Sequence, residues 1–190
     1  METRALDTLK TIFKYRGIED IRYESVSVPL ADTHMYVYGG VLVVFSEKAR
    51  VSDKDLFNII EFADSNGYNN GAVIISDAHP SAAVLTRLRR HIANPENKLV
   101  QIFELRHLQL DISQHRKVPK HRILMPDEIE AVMKEFHTTN IQQFPKIDSQ
   151  DPMAKWIGAR PGNVIEVLGL CESSGNNRRY RLCVEDVTNA

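Results

Sequence analysis

Three short apolar runs, at residues 41–45, 71–76 and 99–103, constrain this chain more than any other feature. Each is rich in Val, Ile or Phe and too short for a helix buried all round, so each reads as a strand, the first covered on both faces and the second of the same buried type. Helical stretches separate them. Ser52-Asp53-Lys54-Asp55 is a capping box with Asp in the usual place of Glu. Leu56, Ile59, Ile60 and Ala63 then share one face, and Asn66-Gly67 is the stop. Pro80-Ser81 opens a second helix, with Ala83, Val84, Leu85 and Leu88, running to about His91. Strand, helix, strand, helix, strand predicts an α/β domain, and right-handed crossovers make much of its sheet parallel. Before this core, Leu6, Leu9, Ile12 and Phe13 predict an amphipathic helix ended near Gly17. A short β-prone stretch at 21–28 follows, and residues 35–38 pair with 41–45 across Gly39-Gly40. Residues 108–112 alternate as a further strand.

The remaining chain reads as a small α+β module, with domains over 1–113 and 114–190. Between them His115 to His121 forms a Pro-stiffened extended segment. Pro126-Asp127-Glu128 starts a helix with an apolar stripe of Ile129, Val132, Met133 and Phe136. Residues 143–147 are extended. Asp151-Pro152 caps a short helix that carries Met153, Ala154, Trp156 and Ile157 and stops at Gly158. Arg160-Pro161-Gly162 is a turn. Residues 164–168 and 179–184 flank a hairpin turn centred near residue 175. That register sets Cys171 and Cys183 on the order of 10 Å apart, beyond disulfide reach, so both read as small apolar residues.

Composition decides which functions to set aside. The net charge is -1, from 24 basic and 25 acidic residues, which argues against a free-standing non-specific DNA binder. Contact with DNA inside a larger complex stays open. The chain begins Met1-Glu2-Thr3-Arg4 without an apolar leader, and no apolar run approaches the roughly 20 residues of a membrane span, so a soluble, reducing compartment is expected.

Three constellations invite chemistry. Asp77 and Glu104-Leu105-Arg106 follow strands and faintly resemble the acidic-x-basic set of metal-dependent nucleases; the plainer reading is turn residues. His115 and His121 with Cys171 or Cys183 lack the close-spaced pairs of structural zinc sites, and structural histidines bonded to the backbone are the plainer reading. Thr86, Arg87, Arg89, Arg90 and His91 either complement a helix C-terminus or touch phosphate. No cofactor, metal or catalytic residue is expected.

The C-terminal residues carry a resemblance. His115, Val118-Pro119-Lys120-His121, Phe144-Pro145-Lys146-Ile147, Asp151-Pro152, Gly158, Gly162, Glu172, Gly175 and Tyr180-Arg181 resemble the assembly domain of the fifth common subunit of eukaryotic RNA polymerases, whose archaeal counterpart consists of essentially this domain alone. The spacing between blocks fits over about 75 residues. Lys117 in place of Leu, Trp156 in place of Tyr, and Pro161 and Cys171 depart from the pattern. Ala78-His79-Pro80-Ser81-Ala82 is similar to a segment of that family's jaw domain, with His79 replacing Thr. The resemblance implies a restriction-endonuclease-like, three-layer jaw without nuclease activity, followed by a module that packs on the largest subunit. It also implies that the jaw lies along downstream duplex DNA, which places Pro80, Ser81, Arg87, Arg89 and Arg90 near it. The jaw is short, as in copies encoded by large DNA viruses. The site of action is therefore the nucleus for a cellular protein, and a viral factory, host nucleus or virion for a viral one. The rival readings are a metal-dependent nuclease and a free DNA-binding regulator.

Overall fold

The computed structural model describes residues 1–187 except 21, 28 and 172–174, and at 170, 171 and 176 it describes the backbone alone. Expectations that fall on Ile21, Val28, Glu172, Ser173 and Ser174 therefore lie outside the described residues. The chain divides into two compact units, Met1–Asp111 and Ile112–Ala190, each with its own sheet. It is a mixed α/β protein throughout.

The first unit runs α1 (Glu2–Tyr15), β1 (Glu24–Ser25), β2 (Thr33–Tyr38), β3 (Val41–Ser46), α2 (Asp53–Ser65), β4 (Ala72–Ser76), α3 (Ala82–Ala93) and β5 (Val100–Glu104). Its strands lie in sequence order. β1, β2 and β3 are antiparallel neighbours, while β3, β4 and β5 are parallel. The β2–β3 turn places Gly39 and Gly40 at φ 53° and 75°, a conformation that glycine adopts without a Cβ penalty. On one sheet face Leu42, Val44, Ala72, Ile74, Val100 and Ile102 pack with Leu56, Ile59 and Ala63 of α2 and Val84, Leu88 and Ile92 of α3. On the other face α1 stacks Phe13 on Tyr38 at 5.6 Å, and Arg16 Nη2 donates to buried Gln101 Oε1 at 2.6 Å. Gly71 enters β4 at φ +88°, where a Cβ would collide with the Leu99 carbonyl oxygen.

The predicted capping box is present: Ser52 Oγ accepts from Asp55 N–H at 3.2 Å, and Asp55 Oδ2 accepts from Ser52 N–H at 3.0 Å. In this unit two expectations need correction. Residues 108–112 form no strand. A 3-10 turn spans Leu105–Leu108 and another spans Ile112–Gln114. The alternation there has no face to serve, because Leu108 is buried while Leu110 is 76% exposed. In α3 the buried stripe is Val84, Leu88 and Ile92, spaced four apart, whereas Ala83 is exposed and Leu85 half-buried.

The second unit contains β6 (Lys120–Ile123), α4 (Pro126–Glu135), β7 (Lys146–Asp148), α5 (Pro152–Ile157), β8 (Val164–Cys171) and β9 (Gly175–Val184). The sheet order is β6-β8-β9-β7, with β7 parallel to β9 and the other pairs antiparallel. Each face has its own core. Val164, Tyr180 and Leu182 pack with Leu124, Val132 and Phe144. Ile165, Val167 and Cys183 pack with Ile147, Ala154 and Ile157.

The hairpin register differs from the expected one. Cys171 pairs with Gly175, where residue 179 or 180 was expected, and Val164 pairs with Leu182. Gly175, at φ 68°, opens β9 instead of sitting at mid-turn. Cys183 lies eight residues along β9 from the partner of Cys171, about 27 Å at about 3.4 Å per residue. It is free and buried, and burial first, then Asp148 and Asp151, push its thiol up to about 12. The segment at 115–119 is not extended either. Val118 N–H donates to the His115 carbonyl at 2.9 Å, closing a tight turn that Pro119 ends before β6.

Candidate functional site

The motif residues of the second unit act first on its backbone. His121 is buried, and its Nδ1 lies 2.8 Å from the Pro119 carbonyl oxygen. His115 is exposed, and its Nδ1 accepts from Lys117 N–H at 3.2 Å. The two rings therefore bond the backbone, and among the described residues no group of three or more His, Cys, Asp or Glu could hold a metal ion. The Pro145 carbonyl accepts from Leu182 N–H at 2.8 Å, and Gly162 N–H donates to the Cys183 carbonyl at 2.9 Å. Asp151 Oδ1 caps α5 through Met153 N–H at 2.8 Å and Ala154 N–H at 3.3 Å. Gly158 closes that helix at φ 75°. Arg181 Nη1 donates to the Lys146 carbonyl at 3.1 Å, tying β9 to β7. Tyr180 is buried with Phe136 edge-on at 5.6 Å and Phe144 at 6.3 Å. Of the described motif residues, His115, Lys120, Pro145, Pro152, Gly162 and Gly175 are exposed, and Val118, Pro119, Lys146, Asp151, Gly158 and Arg181 are half-buried.

A charged ladder runs across this sheet and was missed from sequence. Buried Glu166 accepts from Arg122 Nη2 at 2.8 Å and Nε at 3.1 Å, and its other oxygen lies 3.2 Å from Arg178 Nε. Arg122 Nη1 also reaches Glu128 at 2.7 Å. The Met125 N–H and then Arg122 hold the Glu128 carboxyl below its usual range. The one available signal was the acid within Val164-Ile165-Glu166-Val167-Leu168, because a charge in an apolar strand needs partners to be buried. Beside the ladder, Met125 and Leu168 are 65% and 39% exposed.

In the first unit Ser81 is the N-cap of α3, accepting from Val84 N–H at 3.4 Å, and Pro80 before it is buried. Arg87 pairs with Asp53 Oδ1 at 2.9 Å. Arg89 is half-buried and Arg90 exposed on the same helix. Asp77 is exposed after β4. Glu104 ends β5 buried, and both its oxygens have a side-chain partner. His79 Nδ1 is 2.9 Å from Oε1, and Arg106 Nη2 is 2.7 Å from Oε2. Burial alone would raise the Glu104 carboxyl. The His79 hydrogen bond and the fields of His107 and Arg106 outweigh it and hold the group below its usual range. A carboxylate so engaged is a poor metal ligand, which counts against the nuclease reading. The pairing of His79 with Glu104 joins loop and strand end across 25 residues, so no local motif announces it.

The family described as RNA polymerase Rpb5, C-terminal domain, matches residues 110–183. The DNA-directed RNA polymerase subunit Rpo5 of Thermococcus onnurineus is 38% identical over 78 residues, covering 41% of this chain and 94% of that protein. The subunits of the same name from Methanocaldococcus jannaschii and Archaeoglobus fulgidus are each 35% identical, over 99% and 100% of their lengths. The aligned length is that of the second unit, in which the motif residues form the turns, caps and strand ties just described. The chain belongs to the RNA polymerase Rpb5 family.

Proposed function

We propose that this chain is a non-catalytic subunit of a multisubunit DNA-directed RNA polymerase, with its second unit docking on the largest subunit and its first unit, the jaw, helping to position downstream duplex DNA. The observation that carries this reading is the match of residues 110–183 to a family whose archaeal members consist almost wholly of that region. Nucleotide addition belongs to other chains, so the contribution of this one is mechanical and electrostatic. The protein acts wherever that polymerase is assembled.

Docking is supported by the division of labour within the unit. Most motif residues are spent on turns and caps, which leaves the exposed ones, His115, Lys120 and Pro145, together with apolar Met125 and Leu168, to meet a partner. The jaw reading draws on Pro80, Ser81, Arg87, Arg89 and Arg90, and the restriction-endonuclease-like comparison on a mixed sheet with helices on both faces. Pull-down of the recombinant full chain with fragments of the cognate largest subunit tests the assembly role. Capture of one fragment is expected. Folded protein that captures none overturns the docking reading.

A further inference from the structure

One face of the β6-β8-β9 sheet is covered at one end only. There Leu124, Val164 and Leu182 pack with Val132 of α4 and with Phe144. Side chains two apart along a strand share a face. The next row on this face is therefore Arg122, Glu166 and Tyr180, and the row after it is Lys120, Leu168 and Arg178, paired across the three strands. All three of these last residues are exposed. Leu168 thus stands in water between two cations, whose strands lie about 10 Å apart by two inter-strand spacings. Lys120 makes no hydrogen bond or ion pair among the described residues. Arg178 gives Nε to Glu166 at 3.2 Å, and the Tyr180 side chain, then Glu166 and Glu135, hold it in the charged form. Arg122 is already taken by Glu166 and Glu128. Exposed Met125, at the start of α4, widens the apolar surface.

We propose that the row Lys120, Leu168 and Arg178 receives an acidic segment of the largest subunit, in which carboxylates flank an apolar side chain seated on Leu168. This rests on the docking reading and adds to it the face that is used and the chemistry of the partner. Two cations with an apolar side chain between them match such a segment in charge and in hydrophobicity together. A nucleic-acid backbone matches them poorly. Its phosphates would meet Glu128 and Glu135 at the edge of α4 and would leave Leu168 and Met125 against charge.

The test measures the affinity of the full chain for the captured largest-subunit fragment across a salt series. Lys120→Glu and Leu168→Ser alter exposed side chains, so both variants should fold, and thermal melts verify this. Each should weaken binding about tenfold. Lys120→Glu should also flatten the weakening that added salt causes in the wild type, because it removes an attraction that salt screens. Arg50→Glu makes the same change of charge at an exposed position of the first unit and should bind like wild type. If the wild-type chain captures the fragment and either Lys120→Glu or Leu168→Ser binds as tightly, this face is wrong and the docking reading stands. An equal loss in Arg50→Glu also overturns the site, since overall charge would then be responsible. Displacement of the fragment by a short oligonucleotide overturns it in favour of nucleic acid. If the wild-type chain captures no fragment, the site and the docking reading fall together.

Discussion

Glu166 sits in the middle of the longest antiparallel pairing in the second unit, with Arg122 and Arg178 on its two oxygens. Arg122→Met keeps the aliphatic stem and removes the charge, leaving a buried carboxylate with one partner. Urea denaturation should show a loss of roughly 1–3 kcal/mol, the cost of an under-satisfied buried acceptor, reduced by the partial exposure of Arg122. An unchanged midpoint would mean that water reaches Glu166. Asp151→Ala removes the cap of α5 and should cost about 1 kcal/mol by the same measurement. Glu104 gives a pH signature in the first unit. Its folded carboxyl titrates below the ordinary 4.5, so its contribution is present above that pH and lost as pH falls through the folded value. Denaturation of Glu104→Gln between pH 3 and 6 should show a flatter slope than wild type; identical slopes would remove Glu104 from the account. At this scale the sequence displayed residues whose role is local, such as Asp151 with its own helix and Ser52 with Asp55. It hid those completed across the fold, because His79 with Glu104 and Arg122 with Glu166 are joined by strand order alone.

Elements were legible where one pattern sufficed and misread where two patterns coincide. The buried strands β3, β4 and β5 announced themselves by uninterrupted apolar runs, and α2 and α5 by their caps. Leu108-Gln109-Leu110-Asp111-Ile112 alternates like a strand, yet it joins no sheet and its backbone closes 3-10 turns instead. The β8–β9 hairpin was recognised but its register was not, because several Gly and Asn residues compete to be the turn and only cross-strand packing selects among them. Gly71 is the element-scale position with the sharpest consequence. Gly71→Ala meets both the left-handed φ and the Leu99 carbonyl, and should cost roughly 2–5 kcal/mol in the first unit. Loss of the cooperative melt at moderate temperature would fit; a melt within a degree or two of wild type would show that β4 and β5 part without cost.

As a whole molecule the chain is two compact units, each holding its own buried core. The second should therefore stand alone, as archaeal relatives of little more than its length do. A fragment starting at residue 110 is expected to unfold cooperatively, with dispersed amide resonances. A molten fragment would show that the first unit is needed to complete it. The strand order of that fragment, β6-β8-β9-β7, has a consequence for how the protein is made. Of this unit's four described strands the two central ones are made last, and each edge strand waits for one of them. The first unit, by contrast, has all five of its strands by Glu104. A chain that stops short of β9 would thus carry a finished first unit and no second sheet. The sheet of the second unit is thus complete only in copies translated through β9, so translation through Val184 is in effect checked by the fold itself.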